Sequence, residues 1–198
     1  MKNKYVSIAL LLAAGSIMFQ CKTKKDIEPE IGIETPEKID FDKAAVLLMD
    51  TVTKDLNGRW NLAKVEYDIK YPNPTGSVTK DTTFADFAVL DIKSVSRQES
   101  ARYPVVKGEV LFQGRTYPVQ FRLLSNAGRL VDKKGPQAFM LFEYAFPAGT
   151  IIWEKEDLFF RDSGLVGENY SIELDPKSRK MIWKGLNRDI KEITMQKL

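Results

Sequence analysis

The chain has 198 residues, with 30 Lys and Arg against 27 Asp and Glu, no histidine and one cysteine. That length suits one domain with extensions, and 43% apolar residues are ample for a packed core and too many for a disordered chain. Zero histidine excludes a Ser-His-Asp triad, a Cys-His pair and any His-built metal site, and one cysteine excludes an intrachain disulfide framework and multi-cysteine zinc or iron–sulfur sites.

Residues 1–20 read as a targeting segment. Lys2 and Lys4 form a positive start, and Tyr5 to Phe19 carries no charge, including Ile8 to Gly15. The run is too short to span a bilayer as a helix, which takes about 20 apolar residues, and it suits the apolar region of a secretory signal. The only cysteine stands at its end, in Met18-Phe19-Gln20-Cys21, and charges begin at once with Lys22. This resembles a bacterial lipoprotein signal, and the relaxed box is similar to those of the Bacteroidota. The resemblance implies cleavage before Cys21 and acylation of its thiol and amine with palmitate-type chains. A signal peptide cleaved elsewhere and an uncleaved anchor are the alternatives. Without the two lysines of residues 1–20, 28 basic residues face 27 acidic ones. No strong basic surplus argues for a nucleic-acid partner.

Residues 21–35 mix both charges without periodicity and are expected to be a polar linker. Residues 36–57 predict one amphipathic α-helix. Thr35-Pro36-Glu37 supplies a start and Asp40 a second possible one, Phe41, Ala44, Ala45, Leu48, Met49, Val52 and Leu56 recur at helical spacing, and Asn57-Gly58 is the stop.

From residue 58 to 198 the chain reads as β. Candidate strands are 59–71, 83–93, 103–113, 116–124, 137–145, 150–160, 169–174, 180–186 and 190–197, separated by Pro-, Gly- and Asn-rich turns. Gly114-Arg115 reads as a two-residue type II′ loop, which would set Phe112 opposite Tyr117, Val110 opposite Val119, Gly108 opposite Phe121 and Val106 opposite Leu123. One face of that hairpin is apolar; the other carries Lys107, Glu109, Gln113, Thr116, Gln120 and Arg122. The expected fold is all-β: an antiparallel up-and-down meander of eight or nine strands closing into a barrel, preceded by the one helix.

Gly58-Arg59-Trp60 is a Gly-X-Trp at the mouth of the first strand, after a helical stretch and before serial hairpins. The pattern resembles the lipocalin-like (calycin) domains, including those in many Bacteroidota lipoproteins, over roughly residues 56–198. The resemblance implies that Trp60 closes one barrel end under a basic side chain, for which Arg188 is the candidate, contributing about 1 kcal/mol. It also implies a small apolar or amphipathic ligand inside. Trp60, Val110, Phe112, Tyr117, Val119, Phe121, Tyr170 and Trp183 are the candidate ligand-binding residues, and Trp153 could join them; equally, such aromatics could simply fill the barrel.

Glu154, Glu156, Asp157 and Asp162 gather near one strand end, where paired carboxylates could do acid–base work or bind Ca²⁺, but a charge-guarded edge is the preferred reading. No calcium loop, nucleophile elbow, phosphate loop or dinucleotide fingerprint occurs. No enzymatic activity, cofactor or metal site is expected. The sequence thus points to a lipid-anchored protein of the bacterial cell envelope, at the outer membrane, that binds a hydrophobic small molecule. The alternative is an accessory lipoprotein whose filled barrel docks on another envelope protein.

Overall fold

The computed structural model describes residues 38–70, 72, 74–96, 102–147, 150, 159, 160 and 162–198. Cys21, the segments 1–20 and 21–35, and Trp153, Glu154, Glu156 and Asp157 lie outside the described residues.

The helix α1 spans Phe41–Leu56, not 36–57. Its start is the second of the two sequence candidates: the Asp40 carboxylate accepts from Lys43 N at 3.1 Å, satisfying one of the orphan amides of the first turn, and Asp42 adds a favourable charge there. Ala45, Met49, Val52 and Leu56 form the buried stripe that the three- and four-residue spacing demands.

Nine strands follow: β1 Gly58–Tyr67, β2 Thr82–Ala85, β3 Val89–Ser96, β4 Val105–Phe112, β5 Arg115–Ser125, β6 Ala138–Tyr144, β7 Glu168–Asp175, β8 Lys180–Gly185 and β9 Ile190–Lys197. Each strand from β3 onward pairs antiparallel with the next, and β9 returns to β1, with Trp60 opposite Lys197 and Tyr67 opposite Ile190. The sheet is therefore a closed barrel, which removes the unpaired edges a sandwich would leave. β2 and β3 both lie on one side of β1, β2 against Lys64 to Tyr67 and β3 against Gly58 to Asn61, so they share one of eight wall positions. The sequence reading took them as one strand; Asp86, at φ +43, breaks it, and Asp86 N, Phe87 N and Ala88 O keep the ladder going to Ala63 and Leu62.

The β4–β5 hairpin turns one residue earlier than the sequence suggests. Gln113 (φ +48) and Gly114 (φ +79) form the loop, both left-handed as a type I′ turn requires, instead of a type II′ turn at Gly114-Arg115. Phe112 then pairs with Arg115, Val110 with Tyr117, Gly108 with Val119 and Val106 with Phe121. The slip amounts to two residues on the partner strand, so it exchanges neighbours without exchanging faces. Val106, Val110, Phe112, Tyr117, Val119, Phe121 and Leu123 are all buried as expected. Gly108 stands where the backbones of β3 and β4 come close. A Cβ there would stand 2.5 Å from the Asp91 carbonyl oxygen, beside an irregularity in β3 between Ile92 and Ser94.

A short helix α2, Ala127–Asp132, occupies the β5–β6 connection, where the sequence suggested a turn; the Asn126 side chain caps it by accepting from Gly128 N. Phe159 and Phe160 are helical, not the end of a strand 150–160: Ser163 N donates to Phe159 O at 2.8 Å.

Candidate ligand site at the aromatic end of the barrel

Strand direction sorts the connections to two ends. At one end lie α1, α2 and the β7–β8 turn. At the other lie the β2–β3 break, the β4–β5 turn, the β8–β9 turn, Phe159, Phe160 and residues 162–167.

The α1 end is sealed. Trp60, 1% exposed, donates its indole N–H to Leu56 O at 2.7 Å, and Lys197 Nζ donates to Asp55 O at 2.8 Å while standing 5.2 Å from the Trp60 ring centroid. The two side chains satisfy carbonyls in the last turn of α1, which would otherwise be orphaned. The basic partner of Trp60 is thus Lys197 and not Arg188. Arg188 is held in the β8–β9 turn at the opposite end, against Gly164 and Gly167. Lys197 could have been found by register, since β9 must pair with β1 for the barrel to close.

Side chains fill the middle. Trp183 meets Phe142, Tyr170 and Phe121 at centroid distances of 5.3, 5.5 and 5.8 Å, with Val110 and Val119 on the wall. The Trp183 indole nitrogen has no hydrogen-bond partner among the described residues. Phe121 and Tyr170 of the sequence-derived set therefore pack on Trp183, Val110 and Val119 are buried in the same core, and Trp60 stands apart at the sealed end.

The remaining two, Phe112 and Tyr117, join a second aromatic group at the far end. Phe160 lies beneath, 4.7 Å from Phe112 and 5.2 Å from Tyr117. Outside it an open cleft of about 530 Å³ is lined by Phe84, Ala85, Asp86, Phe87, Phe112, Gln113 and Phe159. Phe84, Asp86, Phe87, Phe159 and Phe160 were missed by the sequence reading. In one unbroken strand Phe84 and Phe87 would point to opposite faces; the left-handed Asp86 between them brings both rings to one side. An Asp in the middle of an apolar strand run was the available signal.

Three buried polar groups stand near this end. Glu168, fully buried, accepts backbone N–H bonds from Asn169 (2.8 Å), Leu186 (3.2 Å) and Asn187 (2.9 Å) on Oε1 and from Arg188 (2.6 Å) on Oε2. Its oxygens are spent on the β8–β9 turn, which makes it a structural carboxylate. Burial pushes the Tyr67 phenol up to about 12, the Ser163 hydroxyl beside it working in the opposite direction. Burial likewise raises Tyr170, whose hydroxyl donates to Leu165 O at 3.0 Å. Since the folded state holds the Tyr67 phenol protonated above its ordinary value of 10, its contribution is complete below pH 10 and is lost as pH climbs towards 12. Alkaline unfolding should therefore set in above pH 10, and Tyr67→Phe should flatten the fall in the urea midpoint across that window; an equally steep fall would contradict the assignment to Tyr67.

A second concavity of about 630 Å³ lies outside the barrel between α1, α2 and the β7–β8 hairpin, where Leu48, Val52, Leu174 and Ile182 mix with Arg129, Glu173 and Lys180. Asp162, from the sequence-derived carboxylate group, accepts from Ser77 Oγ at 3.2 Å. Among the described residues, no three Asp, Glu, Cys or His are grouped to hold a metal ion. Compared with known proteins, the chain matches no family model, no curated protein and no solved structure.

Proposed function

We propose that the chain is a non-catalytic binding module, a lipocalin-like lipoprotein of the Bacteroidota kind, held in the cell envelope at the outer membrane by an acylated Cys21 and taking a small apolar or amphipathic molecule at the aromatic end of its barrel. The observation that carries the reading is the open cleft whose walls are Phe84, Phe87, Phe112 and Phe159. Apolar clefts with a few polar groups are what small-molecule sites are made of. The ligand sits at the end because the middle is occupied: Phe121, Tyr170 and Trp183 are at most 1% exposed and in mutual contact.

Calorimetric titration of the purified chain with a medium-chain alkanol tests the ligand. Micromolar binding is expected, lost in Phe159→Glu, whose ring lies at the cleft edge, with the melting temperature within a few degrees of the parent. Undiminished binding in that variant would show that the cleft is not the site. The anchor has its own test. Cells fed an alkyne-tagged palmitate should label the parent chain and not Cys21→Ser; persistent labelling would remove the acylation reading.

A filled interior also suits the accessory reading, in which the groove between α1, α2 and the β7–β8 hairpin meets another envelope protein. A chain that binds no amphiphile yet retains one partner in pull-downs from solubilised membranes would favour it.

A further inference from the structure

The charge and ring geometry of the aromatic cleft point to the ligand's headgroup, an inference that rests on the ligand-binding reading above. Among the described residues, the lining contains four phenylalanines and one carboxylate, Asp86, and no lysine or arginine. The carboxylate is tied down at the β2–β3 break, where one of its oxygens accepts from Asn61 Nδ2 at 2.7 Å. The rings are crowded at unlike angles. Phe87 and Phe112 are 5.0 Å apart, Phe112 and Phe159 are nearly parallel at 5.8 Å, and Phe84 and Phe159 stand at 84° and 6.1 Å. A phenyl ring attracts a cation over its negative π face, and four such rings stand round this one space. A carboxylate beside phenyl rings is a poor place for an anion. It also leaves the charge unused if the ligand is neutral. Together they suit an organic cation whose charge is spread over carbon and carries little hydration.

We propose that the cleft selects amphiphiles with a quaternary or alkylated ammonium head, the head resting between Asp86 and the phenyl rings and the chain lying along the apolar wall.

Three probes of equal chain length separate the possibilities: decyltrimethylammonium, 1-decanol and decyl sulfate, titrated calorimetrically into the full chain below their micellisation limits. The cation should bind about tenfold more tightly than the sulfate, with the alcohol between them. Asp86→Asn should lower affinity for the cation about fivefold and leave the alcohol unchanged; asparagine tolerates the left-handed backbone, so the break is preserved. In 0.5 M salt the preference should shrink, since Asp86 is exposed. Decanol binding without preference for the cation, or an unchanged cation affinity in Asp86→Asn, overturns this inference and leaves the apolar-ligand reading standing. Failure of all three probes to bind overturns both.

Discussion

Glu168→Gln is expected to lower the stability of the barrel by about 2–3 kcal/mol, although the two side chains have the same shape. The carboxylate is an acceptor on both oxygens, with three N–H groups on one and the Arg188 N–H on the other, at 2.6 Å. An amide can match only one side. With its oxygen towards Leu186 and Asn187, its NH₂ faces the Arg188 N–H, donor against donor. Turned over, it faces three donors instead. Either way at least one buried N–H is stranded, at about 1–3 kcal/mol, and the charge-assisted bonds become neutral ones. Glu168→Ala should cost more, about 3–5 kcal/mol, because three amides of the turn and that of Asn169 in β7 all lose their acceptor. Urea unfolding followed by tryptophan fluorescence reads both. A Glu168→Gln midpoint equal to that of the parent would mean that water or a shifted turn replaces the carboxylate, and that the β8–β9 turn does not depend on it.

The closed barrel was legible in the sequence because its two governing signals are local. Alternation of apolar and polar residues survives a two-residue slip, so the inward set Val106, Val110, Phe112, Tyr117, Val119, Phe121 and Leu123 was right even though the partners were not. The turn was misplaced because Gln113-Gly114 and Gly114-Arg115 both contain a glycine suited to a two-residue loop, strand twist accepts type I′ and type II′ alike, and a left-handed glutamine is not signalled by residue type. Asp40 was recognisable as a helix cap, but nothing nearby ranked it above Thr35. The site was less legible. Lys197 reaches Trp60 from the far end of the chain, through the β1–β9 pairing that closes the barrel, while Arg188 was chosen by residue type alone. Phe84, Phe87 and Phe159 meet only because one aspartate leaves the strand conformation and Phe159 and Phe160 are helical. Burial by a fold is not written in any one segment, so the sequence could propose which aromatics are inward and not which of them leave a space between them.

The second large effect should come from Gly185→Ala, a change of one methyl group. A Cβ at Gly185 would lie 1.9 Å from the Ile190 carbonyl oxygen and 3.0 Å from its carbon. These are backbone atoms, so no rotamer change relieves the clash. The β8–β9 turn must open by about 1 Å or more, against a strand whose first residue, Ile190, is buried and paired with Tyr67 at the barrel's seam. Overpacking at a site that cannot yield costs more than about 3 kcal/mol. Gly114→Ala separates this from the general cost of replacing glycine. Gly114 has a left-handed backbone, φ +79, and nothing within 4 Å of its would-be Cβ, so alanine there meets no clash and costs only the strain of an L-residue at positive φ, about 1–2 kcal/mol. The ordering, Gly185→Ala far below Gly114→Ala in urea midpoint, follows from space against conformation. If the two variants unfold together, the approach of Ile190 to Gly185 is not a tight contact in solution. The seam is the place to look for the consequence: loosening Ile190 weakens the β9–β1 pairing that also carries Lys197 to Trp60, so Gly185→Ala should raise amide exchange at both ends of β9 and not only at the turn.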